Sequence, residues 1–205
     1  MRNKGLFLQI AIIAVFAASN LIGTSTSVAA GRKRPHVAKN KNVMVLEYDF
    51  EEPEIITEGD IDFVTISGFN RYNRAGAPVI PVKPVQILVP AGMKIEKVTS
   101  KAIDTFQLPD TYRLSHGTKA FRKSVGPPET PTQPNPEIFS MTTFWPAKQH
   151  DLVTVQTNRG YNIAYVNLFP LQYSPKAGKI KMATKIRLTV RLAGTDSHRR
   201  AKPTK

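Results

Sequence analysis

The chain has 205 residues, with 29 Lys and Arg against 15 Asp and Glu, a formal charge of +14, and no cysteine. That length suits one domain with its own core, and the missing thiols exclude a disulfide framework, a cysteine nucleophile and a cysteine-based zinc site. The positive surplus either meets an anionic or acidic partner or serves solubility alone.

Residues 1–30 read as an export signal. Arg2 and Lys4 form a basic start, Leu6 to Phe16 is apolar apart from Gln9, and Ser27-Val28-Ala29-Ala30 supplies the small residues a signal peptidase reads. The apolar run falls short of the ~20 residues a span requires, so the expectation is cleavage after Ala30, no stable membrane span afterwards, and a secreted or periplasmic protein. Residues 31–41, with Arg32, Lys33, Arg34, Lys39 and Lys41, read as a basic disordered arm. A folded domain is expected over 42–193 and a second basic disordered tail over 194–205.

Within the domain the dominant period is two. Met44, Leu46, Tyr48 and Phe50 alternate with Val43, Val45, Glu47 and Asp49, and Ile61 to Phe69 continues the theme. Val85, Ile87, Leu88 and Val89 form a short apolar strand that looks buried between two layers, entered through Gly76-Ala77-Pro78-Val79-Ile80-Pro81-Val82. Pro78 and Pro81 fix φ and lack an N–H, so that entry should lie at a sheet edge. Lys94 to Leu108 does not fit a helix. Tyr112 to Glu137 holds five prolines and two glycines and reads as one long surface loop. Strands are expected again at Ile138–Trp145, Leu152–Thr157 and Tyr161–Phe169. The last element is the clearest: Ile180, Met182, Thr184, Ile186, Leu188, Val190 and Leu192 share one face, and Lys179, Lys181, Lys185, Arg187 and Arg191 the other. A turn at Tyr173–Gly178 suggests a long hairpin of Tyr161–Tyr173 with Lys179–Leu192. The fold expected is an all-β antiparallel sandwich with Greek-key or jelly-roll connections and one long Pro-rich loop.

Two segments carry a family resemblance. Gly76-x-Pro78-x-x-Pro81, followed by the strand end Ile87-Leu88-Val89-Pro90-Ala91-Gly92, and Pro170-Leu171-Gln172-Tyr173-Ser174-Pro175 before Gly178-Lys179-Ile180, resemble the amino-terminal propeptide domain of gingipain-type cysteine peptidases. The likeness runs from about Val43 to Leu192. It implies a non-catalytic β domain that binds a cysteine peptidase catalytic domain and keeps it latent or assists its folding, by presenting a basic residue on a projecting loop. Arg122 is the first candidate for that residue, with Phe121 as an apolar anchor beside it and Arg113, Lys119 and Lys123 as further candidates. The physical logic is that a long basic side chain satisfies an acidic pocket, while prolines hold the loop extended.

The residues themselves show no catalytic arrangement. His36 and His198 lie in the tails, His116 and His150 lack a nucleophile partner, and no Gly-x-Ser-x-Gly, HExxH or phosphate-cradling glycine loop occurs. The basic face Lys179, Lys181, Lys185, Arg187 and Arg191 would dock an acidic domain, anionic glycan or envelope surface, or would protect an edge strand. Nucleic acid is not expected, because no aromatics interleave these charges. Eight acids between Glu47 and Asp62 would hold calcium or neutralise the basic arm. Two other readings stand beside latency: an adhesive or glycan-binding sandwich, and a vestigial piece of a peptidase precursor whose Arg199-Arg200 marks a former release site.

Overall fold

The structure, a computed structural model, describes residues 42–194 except Lys123 and Glu129. The expected signal, arm and tail beyond Gly194, with His36, His198 and Arg199-Arg200, lie outside the described residues, as does Lys123. Ten strands and one helical turn follow in order: β1 (Val43–Asp49), β2 (Glu54–Glu58), β3 (Ile61–Thr65), β4 (Asn70–Tyr72), β5 (Ile80–Val89), β6 (Met93–Gln107), α1 (Pro136–Phe139), β7 (His150–Asn158), β8 (Tyr161–Leu168), β9 (Leu171–Ser174) and β10 (Lys179–Gly194).

The strands form two four-stranded antiparallel sheets and a separate β2–β3 ribbon. β10 is the spine of the first sheet. It pairs with β6 along nearly its whole length, with β9 over Lys179–Met182, and with β1 over Lys185–Arg191. The second sheet runs β4-β5-β8-β7. The inward residues of both sheets meet in one cluster, Leu46 of β1 and Leu188, Val190 and Leu192 of β10 against Ile87 and Val89 of β5 and Ala164, Val166 and Leu168 of β8. The all-β sandwich is therefore established. The chain passes from one sheet to the other at the Pro90-Ala91-Gly92 turn, where Gly92 has φ 73°, and again through buried Phe169 and Pro170.

Several local expectations are corrected. β10 does not form a long hairpin with β8, which pairs with β5 and β7; only the four residues of β9 fold back on β10. Alternation marks which face a residue takes but leaves its partner strand open. β10 is also a central strand, so its cations do not guard an edge. The segment Ile138–Trp145 is not a strand. Asn135 caps α1 by accepting from the Glu137 N–H (2.9 Å), Pro136 opens the turn, and the chain continues as loop up to Trp145, which bridges to Tyr173. β5 is buried on both faces over Ile80–Val82 and covered on one face only towards its end, where Ile87 and Val89 are buried while Leu88 is 56% exposed. Pro81 sits where β5 pairs on one side, with β4, before β8 takes the other side from Lys83 onward.

Candidate functional site

The long segment between β6 and α1 is rooted in the core by Leu108 and Leu114 and is held beyond that by backbone bonds. Gly76 N–H donates to the Gly117 carbonyl (2.9 Å), Gly117 N–H to the Ala77 carbonyl (2.8 Å), and Val79 N–H to the Ser115 carbonyl (2.9 Å). The Gly76–Pro81 entry thus serves as a platform for residues 115–117. Gly117 is required there: a Cβ at this position would lie 2.3 Å from the Arg74 carbonyl oxygen and 2.6 Å from Asn73 Oδ1. Asn73 Oδ1 also accepts from the Thr118 N–H (3.0 Å).

Beyond this platform the loop closes on itself. His116 Nε2 donates to the Thr132 carbonyl (2.8 Å), and the Lys119 N–H donates to Thr132 Oγ1 (3.0 Å). Asn135 N–H returns the chain to the Gly76 carbonyl (2.8 Å). Residues 119–132 are therefore a lariat with a pinned neck. Its tip is a tight turn in which the Arg122 carbonyl accepts from Val125 N–H (2.9 Å) and Gly126 N–H (3.2 Å), with Gly126 at φ 80°. Phe121 is 52% exposed, Val125 79%, and Arg122 is also exposed. Among the described residues no carboxylate pairs with Arg122 or Lys119.

The other expected contacts lie elsewhere. Arg113 stands at the root of the loop against the β2–β3 ribbon: its N–H donates to Asp62 Oδ2 (2.7 Å), its carbonyl accepts from the Asp62 N–H (2.9 Å), and its guanidinium lies 3.8 Å from Asp60. The β10 stripe is not a row of five free charges. Lys179 Nζ donates to the Pro109 and Asp110 carbonyls (2.9 and 3.0 Å), Lys185 pairs with Asp49 (3.3 Å), and Arg187 pairs with Glu47 (2.7 Å). Of these five, only Lys181 and Arg191 have neither an ion pair nor a side-chain hydrogen bond among the described residues. Of the acidic run, Glu47, Asp49, Asp60 and Asp62 are engaged locally, and no group of three or more His, Asp or Glu side chains placed to hold a metal occurs among the described residues.

Sequence reasoning missed the role of His116 as a neck bond and of Gly117 as the point of close approach to Arg74 and Asn73. It also missed His150, which spans the sandwich from β7 to β6. Nε2 of His150 donates to the Val98 carbonyl (3.1 Å) and Nδ1 accepts from Ser100 Oγ (2.7 Å). Burial pushes this imidazole below its ordinary value, and Lys148 adds to that; the Val98 bond and Asp151 act in the other direction.

The geometry defines a β-sandwich that projects a tethered, basic loop. The chain belongs to the Propeptide_C25 family, whose profile matches residues 35–204. No match is found among curated proteins. Among solved structures it is similar to one described under the zymogenic latency of gingipain K from Porphyromonas gingivalis, at 22% identity and a TM-score of 0.62, covering 77% of this chain and 90% of that one. It is also similar to a chain from the complex of Porphyromonas gingivalis RgpB pro- and mature domains, at 14% identity and a TM-score of 0.58, covering 78% of this chain and 82% of that one.

Proposed function

We propose that this domain is an exported propeptide domain that binds the catalytic domain of a gingipain-type cysteine peptidase and keeps it latent, with Arg122 and Phe121 as the leading contacts. The observation that carries this reading is the pinned lariat: its neck is fixed by His116 and Thr132, and its tip holds out an exposed arginine, with no partner acid among the described residues, beside an exposed aromatic ring. A loop ordered before binding loses less conformational entropy on docking, which favours a tight complex. Family membership and the fold shared with the gingipain K and RgpB structures support the same partner class. Lys119 flanks the neck and adds charge near the contact. Arg113 acts as a root residue rather than a contact, since the ribbon already engages it.

The test is inhibition of a purified gingipain-type peptidase by the purified protein across concentration. Saturable inhibition is expected, with Arg122→Ala weakening it by about 30-fold, the loss of one interface hot spot. Full inhibition by the variant would discard the tip assignment while leaving latency standing. No inhibition by the folded wild-type protein would discard latency itself.

A further inference from the structure

The two sheets differ in what they show to solvent. The outer face of the first is charged and mostly basic: Arg187 of β10 stands between Glu47 of β1 and Lys101 of β6, and Arg191 stands opposite Lys97. In the second sheet Ile87, Val89, Ala164 and Val166 point into the core, so their neighbours along β5 and β8 point outward. The two central rows of that outer face, in register, are Gln86–Tyr165–Thr154 and Leu88–Ile163–Gln156, without a charge among them. Leu88 is 56% exposed, and Tyr161, where β8 begins, is 62% exposed. Apolar and aromatic side chains gathered on an open sheet face mark a contact surface.

A charge of opposite sign stands at each end of this face. Asp151 ends the row Pro84–Asn167–Asp151. Arg159 lies beyond the other end, in the turn from β7 to β8, where with Leu88, Tyr161 and Ile163 it lines a shallow concavity. Both residues are exposed. They lie about 25 Å apart along β7 at ~3.3 Å per residue, so they do not meet within one chain. A chain of charge +14 repels its own copies wherever cations face cations. Of the two outer sheet faces, only that of the second sheet lets two copies approach without this repulsion.

We propose that the outer face of β5, β8 and β7 binds a second copy of this chain, packed sheet on sheet about a two-fold axis that lies between the sheets and runs across the strands. A patch that meets itself about a two-fold must be self-complementary, and this one is. The axis leaves each strand over its own counterpart with the direction reversed. Each copy's Asp151 then faces the partner's Arg159, and each Ile163 meets the partner's Tyr165. Four register rows and three strands make a face about 20 Å by about 15 Å, so two copies bury on the order of 1,000 Å² in total. That is the low end of specific interfaces and fits a concentration-dependent dimer with a dissociation constant on the order of 10–100 µM. The face is built from different elements than the lariat, so the dimer stands or falls independently of peptidase latency.

The experiment is sedimentation equilibrium of the purified protein over a roughly hundredfold concentration range centred on that constant, with circular dichroism to verify folding. A monomer–dimer equilibrium is expected. Leu88→Lys, at an exposed position, should keep the fold and remain monomeric throughout. D151R and R159D should each weaken the dimer by about tenfold, because each sets like charges together at both ends of the interface. The double variant D151R/R159D exchanges the two signs and should restore the dimer to within about threefold of wild type. A folded wild-type protein that stays monomeric across the range would overturn the proposal, as would a dimer that Leu88→Lys leaves intact. A double variant no stronger than the single ones would overturn it too, and that comparison does not depend on Leu88. Loss of peptidase inhibition in Leu88→Lys beside a monomeric wild type would give the face to the catalytic domain instead.

Discussion

Gly117→Ala tests whether the lariat is held by backbone contact. The new methyl group would stand 2.3 Å from the Arg74 carbonyl oxygen, whereas ordinary contact begins near 3.4 Å, so the two backbones must separate by about 1 Å. Both are main-chain groups, and no side-chain rotation relieves the clash. Overpacking of this kind costs about 1–3 kcal/mol. Separation also stretches the Gly76–Gly117, Gly117–Ala77 and Thr118–Asn73 bonds, each worth about 1 kcal/mol net and in part replaced by water at this surface. A total of about 2–4 kcal/mol follows, and at about 2–4 °C per kcal/mol for a domain of this size the Tm should drop by about 5–15 °C. Thermal unfolding followed by circular dichroism measures the drop, and amide exchange at Gly76 and Gly117 locates it. A Tm within about 2 °C of wild type, with both amides still protected, would refute the close-contact account.

Other consequences are as direct. Arg122→Ala should leave Tm essentially unchanged, as expected for an exposed side chain, so that any lost inhibition is a binding effect. Ile186→Ala, at a fully buried position on the spine strand, should lower unfolding free energy by about 2–5 kcal/mol in urea titration. Glu47→Gln should cost no more than about 1 kcal/mol, because the Glu47–Arg187 pair is half exposed. His150 has a depressed folded-state pKa, so its contribution is fully present above the ordinary histidine value of about 6.5 and is lost as pH falls below it. The urea midpoint should therefore fall between about pH 7 and about pH 5, and His150→Gln should flatten that fall.

Face patterns were legible in the sequence; partnerships were not. The alternation from Ile180 to Leu192 identified β10 because each inward position is apolar and most outward ones are charged. The same alternation could not say that β10 lies between β1 and β6, since those pairings join residues more than seventy positions apart. Val85–Val89 looked doubly buried because Leu88 is apolar, yet Leu88 faces outward on a sheet whose outer face is uncovered there. The signal for α1 was present in Asn135-Pro136-Glu137, an N-cap followed by a first-turn proline and acid, but the surrounding prolines masked it. The Pro-rich segment was recognisable as a loop by composition. Its pinned neck depends on His116 meeting Thr132 sixteen residues later, a contact that no local pattern encodes. The basic stripe misled for a similar reason: the acids that neutralise Lys185 and Arg187 sit on the first strand of the domain.

The position of β10 also sets an order of events during synthesis. β1, β6 and β9 have no strand in common other than β10, so the first sheet has no template until the last strand of the domain has emerged. The β4-β5-β8-β7 sheet can pair earlier, but its apolar face has nothing to cover it until then. Pairing of β1 with β10 closes a loop of more than one hundred residues, the kind of non-local contact that makes folding slow. A chain halted before Lys179 would lack the strand that joins β1, β6 and β9. The domain would become compact only once its spine strand had been made.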